Sequence, residues 1–225
     1  MKLVFDNSEP PGADDNGVLK EEWFNFYGNV EEELPLNMPE ARGQELTILC
    51  FVDANHAGNS VTQRSHTGIL IFVQKAPILW SLKRQNTVET STFGSEMVAM
   101  QIAKEMIVAL RYKLRMFRLP INGPARVYCN NQGAVKNTSI RSLTLAKKHN
   151  SIKYHTIQEA VAARIMTVFK EDTETNLADL FTKVLSRKIR NNMLSCIVYG
   201  PQFYSKDNDD QDKVKEPVKK KHKPS

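Results

Sequence analysis

The feature of this 225-residue chain that most constrains its fold is a continuously apolar run, residues 46–52, broken only by Thr47 and ended by Asp53. A run rich in β-branched and aromatic side chains, without polar alternation, is typical of a strand that is buried on both faces. Such a strand lies in the middle of a sheet, because only there do other elements cover both of its sides. We therefore predict a central strand with an acidic side chain at its carboxyl end.

Two more strand-like runs follow closely. Residues 66–73 form the first, and residues 78–82 form the second after a turn at residues 74–77. Short links between consecutive strands favour an antiparallel meander, because parallel strands need a long crossover connection.

The pattern then changes to that of a helix over residues 92–118. Its apolar side chains recur every three or four residues and form one stripe: Ala99, Ala103, Met106, Leu110, Leu114 and Phe117. Ser91 or Thr92 can cap its start, and the prolines and glycine of residues 119–124 end it. A short strand at residues 126–129 follows, and the long connection to it favours parallel pairing with the first strand.

The remaining folded part alternates again. We predict a helix at residues 151–163, a strand at residues 166–169 and a last helix at residues 176–185 that Asn176 caps. The predicted order is β-β-β-α-β-α-β-α, which corresponds to an α/β fold with a mixed sheet flanked by helices.

Charge and composition divide the chain into three parts. Residues 1–43 hold ten acidic and three basic side chains with several prolines, and we expect an acidic, largely irregular connector. Residues 44–200 hold 21 basic and 10 acidic side chains, a net charge of +11, and form the predicted domain. Residues 201–225 alternate Asp and Lys, and we expect a disordered tail, with nuclear import or polyanion binding as the alternative role.

Several classes of protein are disfavoured. No run approaches the ~18 apolar residues of a membrane span, and the first residues turn acidic too soon for a signal peptide. The three cysteines, Cys50, Cys129 and Cys196, form neither a CxxC pair nor an even set. We expect a soluble protein of the cytoplasm or nucleus that is not secreted and has no membrane partner. Its basic domain favours nucleic acid as a partner, with a merely solvated basic surface as the alternative.

Three of the domain's few acids lie at similar places in the predicted elements. Asp53 ends the strongest strand, Glu96 begins the long helix, and Asp179 lies in the first turn of the last helix. Singly, each is explained by a turn or by the helix dipole. Together, acids at strand ends and helix starts can converge at one rim of an α/β sheet. Convergent carboxylates in a basic domain indicate Mg²⁺ beside a phosphate backbone.

Six short motifs occur in an order that resembles the ribonuclease H domain of copia-type LTR retrotransposon polyproteins, which also carry a reverse transcriptase. They are FVDANHAG at 51–58, RSHTG at 64–68, APILW at 76–80, STFGSE at 91–96, KHNSIKYH at 148–155 and NLADLFTK at 176–183. The resemblance covers roughly residues 44–190. Residues 1–43 resemble only the connector after the polymerase, so we expect a piece of such an element.

The resemblance implies a fold and a reaction. The fold is an RNase H-like, five-stranded mixed sheet with three antiparallel strands, then parallel strands, and helices on both sides. The reaction is endonucleolytic, metal-dependent cleavage of the RNA strand in RNA–DNA hybrids during reverse transcription, with hybrid shape and the 2′-hydroxyl selecting RNA. The implied partners are the hybrid and the polymerase part of a reverse transcriptase, and we expect a monomer.

Four positions match the catalytic residues of that family. Asp53 matches the aspartate that bridges two Mg²⁺ ions, for which Mn²⁺ can substitute. Glu96 matches the helix glutamate, and Asp179 matches the last acid, which binds the second metal. Asn130 stands where the family has an aspartate. An amide is nearly isosteric but brings no charge and is a weaker Mg²⁺ ligand, so we predict a folded domain with strongly reduced cleavage.

Two alternatives to that enzyme stay open. The basic domain could bind hybrids without cutting them, or the chain could be an interaction fragment that acts through Trp23, Phe24, Phe26 and Tyr27. The amide at position 130 could itself reflect decay of a genomic copy or an evolved non-catalytic role. For contacts to the nucleic-acid backbone we select basic residues near the predicted rim, with a solvated face as the alternative: Lys83, Arg84, Arg141, Lys147, Lys148 and His149.

Overall fold

The computed structural model describes residues 26–139 and 151–198. Its strands are β1 (Ile48–Asn55), β2 (His66–Val73), β3 (Ala76–Arg84), β4 (Ala125–Cys129) and β5 (Met166–Lys170). Its helices are α1 (Thr92–Met116), α2 (Gln132–Ser139), α3 (Ser151–Ala162), α4 (Asp179–Thr182) and α5 (Arg187–Leu194).

The strands form one mixed sheet in the order β3-β2-β1-β4-β5. The β1–β2 and β2–β3 pairs are antiparallel, whereas β1–β4 and β4–β5 are parallel. The predicted central strand, the meander and the parallel pairing after the long helix are therefore confirmed.

Each face of the sheet has its own core, because successive side chains of a strand point to opposite faces. On one face, Cys50 and Val52 of β1 pack with residues of α1 and α3. On the other face, Leu49 and Phe51 pack with residues around α4 and α5, such as Leu177 and Met193. The strand β1 is thus covered on both sides, which explains why it carries no polar alternation.

Helix α1 begins as predicted and buries a slightly different stripe. The Ser91 hydroxyl caps it by accepting a hydrogen bond from the Gly94 amide at 3.2 Å. Met100 and Ile107 are fully buried in place of the last predicted stripe member, Phe117, which is 74% exposed. Phe117 lies just beyond the last helical residue, so the helical spacing no longer directs its side chain to the core.

The predicted single helix at residues 176–185 is wrong. A short helix, α4, and a separate helix, α5, occupy this region, and the Ser186 hydroxyl caps α5. Helix α4 begins at Asp179, with Ala178 and not Asn176 at its N-cap position, and the Asn176 side chain bonds the main chain at Val52 and Ala178. Lys183 is extended and ends α4. Helix α2 is a further element that the sequence pattern did not predict.

The described part of the predicted connector, residues 26–43, lies against the domain. The Glu32 carboxylate accepts hydrogen bonds from Arg111 at 2.8 Å and from Arg115 at 2.6 Å. The Tyr27 hydroxyl lies 2.9 Å from Nδ1 of His155. The domain boundary at residue 43 stays a prediction, and the tail lies outside the described residues. No helix within residues 26–139 or 151–198 is long and apolar enough to span a membrane.

Candidate active site

Two neighbouring parallel strands bring Asp53 and Asn130 together. Asp53 lies near the carboxyl end of β1 and is 1% exposed, and Asn130 directly follows β4. Because parallel strands place their carboxyl ends at the same edge of a sheet, the two side chains meet there. The Asn130 amide donates a hydrogen bond from Nδ2 to Oδ1 of Asp53 at 3.0 Å.

Glu96 approaches the same edge from α1 and is 5% exposed. The Cys129 thiol faces its carboxyl group, with Sγ 3.9 Å from Oε2. Burial, and then the charge of Asp53, raises the pKa of Glu96 to about 8, with a smaller contribution from Asp179. Glu96 and Asp53 both line the same cleft.

Asp179 reaches the cluster because α4 lies close to β2 at Gly68. A Cβ atom at Gly68 would lie 2.7 Å from Cγ2 of Thr182 and 2.9 Å from the Ala178 carbonyl oxygen, so only glycine permits this approach. Asp179 is fully buried. Burial, the main cause, and the charge of Asp53 raise its pKa, against the opposing effect of Lys183.

Sequence reasoning missed a cation between the acids. The Lys183 ammonium lies 3.2 Å from Oδ1 of Asp53 and 2.8 Å from Oδ2 of Asp179. Burial lowers the pKa of Lys183, but its hydrogen bond to Asp179 and the charges of Asp53 and Asp179 raise it above its usual value. The four-residue spacing from Asp179 was a signal that could have identified Lys183, because such residues are neighbours on a helix.

Thr182 is a second residue that the sequence did not single out. Its hydroxyl donates a hydrogen bond to Oδ2 of Asp53. Together with Asn130 and Lys183, it surrounds the Asp53 carboxylate with donors from the chain itself. A cleft of about 500 Å³ opens over this group and is lined by Asp53, Glu96, Asn130 and Lys183, among others.

The donor chemistry of this cluster suits Mg²⁺, but its arrangement does not. In the described parts of the chain, no three or more His, Cys, Asp and Glu side chains are grouped so that they could hold a metal ion. Carboxylate oxygens are the ligands that Mg²⁺ prefers. However, Lys183 lies between two of the carboxyl groups, and Asn130 takes the place of a fourth. As they stand, these residues do not fit a two-ion site.

The predicted nucleic-acid contacts divide into two groups. Lys83 and Arg84 are exposed at the end of β3, and the register places Lys83 opposite Thr67, which is itself opposite Ala54 of β1. With strands ~4.8 Å apart, Lys83 lies roughly 10 Å across the sheet from the residue after Asp53. The other selected residues, Arg141, Lys147, Lys148 and His149, lie outside the described residues.

The strand order and the pairing pattern define the class of protein. Three antiparallel strands, two parallel strands beside the first of them, and helices on both faces constitute an RNase H-like fold. The predicted fold class is confirmed.

Sequence relatives confirm the predicted resemblance to retrotransposon Pol polyproteins. The chain is 33% identical over 150 residues, 64% of its length, to the retrovirus-related Pol polyprotein from transposon TNT 1-94 of Nicotiana tabacum. It is 28% identical over 156 residues, 69% of its length, to that from transposon RE1 of Arabidopsis thaliana. The alignments span 11% of the length of each relative. No protein-family model matches the chain.

Among solved structures, the chain is similar to LC11-RNase H1, determined in complex with an RNA/DNA hybrid. The TM-score is 0.46 at 18% identity, and the alignment covers 58% of this chain and 88% of that one.

Proposed function

We propose that this chain is the RNase H domain of a copia-type retrotransposon and cleaves the RNA strand of RNA–DNA hybrids endonucleolytically during reverse transcription. The reaction would depend on Mg²⁺, with Mn²⁺ as a substitute, and a polymerase portion would be its partner. The proposal is supported by Asp53 and Glu96 in the lining of one cleft, by Asp179, which shares the Lys183 ammonium with Asp53, and by relatives named Pol polyproteins.

The roles of the chain's own groups follow from their positions. Asp53 and Glu96 line the cleft, and Asp179 is buried beside Lys183; these carboxyl groups are the ones that would hold a divalent ion once the Lys183 ammonium left them. Lys83 and Arg84, exposed along the same edge of the sheet, would bind phosphates of the hybrid backbone. Such contacts position a duplex without reading its sequence, as an enzyme acting on any hybrid requires.

The hydrogen bond from Asn130 to Asp53 is the observation that supports impaired cleavage. An aspartate at this position would accept, not donate, and would add a negative charge at the reacting centre. Without that aspartate, the transition state loses charge stabilisation worth several kcal/mol. Each ~1.4 kcal/mol corresponds to a factor of ten in rate. We therefore expect cleavage at least about a hundredfold slower than with aspartate at position 130.

A second candidate function is binding of hybrids without cleavage. It is favoured by the donors that surround the Asp53 carboxylate, namely Asn130, Thr182 and Lys183. A module of this kind would hold hybrids with an affinity that falls steeply with salt, because phosphate contacts release counterions.

Cleavage of a labelled hybrid by the full chain tests both candidates. The variants are Asn130→Asp and, as a matched control, Asn192→Asp, which makes the same change at an exposed position of α5. We expect Asn130→Asp to cleave at least about a hundredfold faster with Mg²⁺ or Mn²⁺, and the control to match the unmodified chain. Equal turnover by the unmodified chain and Asn130→Asp would contradict impairment. Salt-sensitive binding without product from either would favour the binding module.

A further inference from the structure

The Lys183 ammonium occupies a defined position between two buried carboxylates. Asp53 and Asp179 are 1% and 0% exposed, whereas the Lys183 side chain is 32% exposed and lines the cleft. Lys183 follows the last residue of α4 in an extended conformation, and its ammonium donates a hydrogen bond to Oδ2 of Asp179. The Lys183 side chain therefore forms part of the cleft wall beside Asp53 and contacts the fully buried Asp179.

This arrangement has an electrostatic reason. Two carboxylates that share a buried site repel each other and lose hydration, and a buried charge is tolerated only when it is paired. The Lys183 ammonium contacts both groups at 3.2 and 2.8 Å and so neutralises one of the two charges. Neutralisation by a divalent ion would use the same two carboxylates.

The Lys183 ammonium does not provide a partner for every oxygen of the two carboxylates. Oδ1 of Asp179 is buried and makes no hydrogen bond within the part of the chain that the structure describes. A buried acceptor without a partner destabilises the folded state, because it has lost its hydrogen bonds to water. With Lys183 between the two carboxylates, both oxygens of Asp53 have hydrogen-bond or ionic partners, whereas one oxygen of Asp179 has none. A cation that contacted both oxygens of Asp179 would supply the missing partner.

We propose that Lys183 is a built-in counter-ion of the cleft, and that a divalent cation binds Asp53 and Asp179 only by displacing its ammonium. This deepens the proposed function, because cation entry becomes a competition with a residue of the chain itself. It concerns cation binding alone and is measured without hybrid, so failure of the cleavage assay leaves its outcome intact.

The first experiment measures Mn²⁺ affinity of the full chain by electron paramagnetic resonance. Lys183→Met keeps much of the apolar stem and removes the charge, and Lys188→Met removes an exposed lysine of α5 as the matched control. We expect Lys183→Met to bind Mn²⁺ about tenfold more tightly or better, and Lys188→Met to bind it as the unmodified chain does. Equal or weaker binding by Lys183→Met, or no binding by any variant, would overturn the proposal.

A second measurement needs no substitution and therefore holds if Lys183→Met fails to fold. The unmodified chain is acetylated briefly with and without Mn²⁺, and mass spectrometry compares modification of Lys183 with that of Lys188. Displacement predicts that Mn²⁺ raises acetylation of Lys183 several-fold and leaves that of Lys188 unchanged. Constant or reduced acetylation of Lys183 at a Mn²⁺ concentration that occupies the protein would show that the ion does not displace the ammonium.

Discussion

The side-chain amide of Asn176 donates a hydrogen bond to the main-chain carbonyl oxygen of Val52 at 3.0 Å. Val52 directly precedes Asp53, and the side-chain oxygen Oδ1 of Asn176 accepts a hydrogen bond from the Ala178 amide at 3.1 Å. Asn176 is fully buried. One side chain thus joins β1, next to Asp53, to the turn before α4, which carries Asp179.

Replacing this amide should destabilise the domain. Asn176→Ala leaves the buried carbonyl of Val52 and the amide of Ala178 without their partners, so we expect the free energy of unfolding to fall by about 2–4 kcal/mol. Urea denaturation measures the change. Asn192→Ala, at an exposed position of α5, should stay within about 0.5 kcal/mol. A loss below about 0.5 kcal/mol for Asn176→Ala would show that the contact does not hold α4 to β1.

The Glu32 contacts should make stability depend on pH. Partial burial raises the pKa of Glu32, but hydrogen bonds from Arg115 and Arg111 outweigh it and lower the pKa from 4.5 to about 2. A lowered pKa means that the ionised carboxylate stabilises the folded state above about pH 4.5, and that this stabilisation disappears as the pH falls to about 2.

Glu32→Gln tests this dependence. At pH 7 we expect the free energy of unfolding to fall by about 2–3 kcal/mol, because Arg111 is a buried charge that loses its partner. The difference from the unmodified chain should shrink steadily between pH 4.5 and 2. The neighbouring exposed Glu33→Gln is the control and should change little at any pH. If the loss of unfolding free energy in Glu32→Gln were the same at every pH, packing of the Glu32 side chain, and not its charge, would be its cause.

Adding a side chain at Gly68 should force α4 away from the sheet. The new Cβ atom of Gly68→Ala would lie 2.7 Å from Thr182 Cγ2 and 2.9 Å from the Ala178 carbonyl oxygen. Overpacking of this kind costs about 1–3 kcal/mol, measurable by urea denaturation. Gly133→Ala, at an exposed helical position, should change stability by less than about 1 kcal/mol. Similar values for the two variants would argue against the close approach.

Asn130→Asp should lower the free energy of unfolding in the absence of divalent cations, because it adds a negative charge beside Asp53. The substitution replaces the donor to Asp53 by a second carboxylate about 3 Å away, and two such groups cannot both ionise freely. We expect a loss of about 1–3 kcal/mol at pH 7 that narrows as the pH falls and one group protonates. Thermal unfolding in the presence of a chelator measures it, and a deficit that grows on acidification would contradict this account.

Thiol reactivity should separate the three cysteines. Cys50 and Cys129 are fully buried, and burial raises their pKa values, whereas Cys196 is partly exposed. A disulfide reagent at neutral pH should therefore modify one thiol of the folded chain and three after denaturation. Cys196→Ser should abolish the reaction of the folded chain. Rapid modification of two or three thiols before denaturation would show that the sheet is more open than described.

Much of the fold follows from local patterns. The uninterrupted apolar run of β1 requires cover on both faces, and this placed it in the middle of the sheet. The short links after it required antiparallel neighbours, and the long helix required a parallel one. Motif order led to Asp53, Glu96, Asn130 and Asp179; the structure places the first three in the lining of one cleft and joins Asp179 to Asp53 through Lys183.

Other features could not be obtained from local patterns. Helix α4 ends after one turn at the extended Lys183, and the Asn176 side chain bonds Val52, which is distant in sequence; the periodicity of residues 176–185 carries no sign of either. The pairing of Glu32 with Arg111 likewise joins residues far apart in the chain.

The amino-acid sequence alone determined the five strands, the long helix α1 and the helix α3, because burial on a strand or helix repeats with a short, fixed period. Only the tertiary structure decided that Lys183 lies between Asp53 and Asp179 and that Asn130 donates to Asp53. The energy of a charge depends on the distance and burial of its neighbours, and those are set when separate parts of the chain pack together.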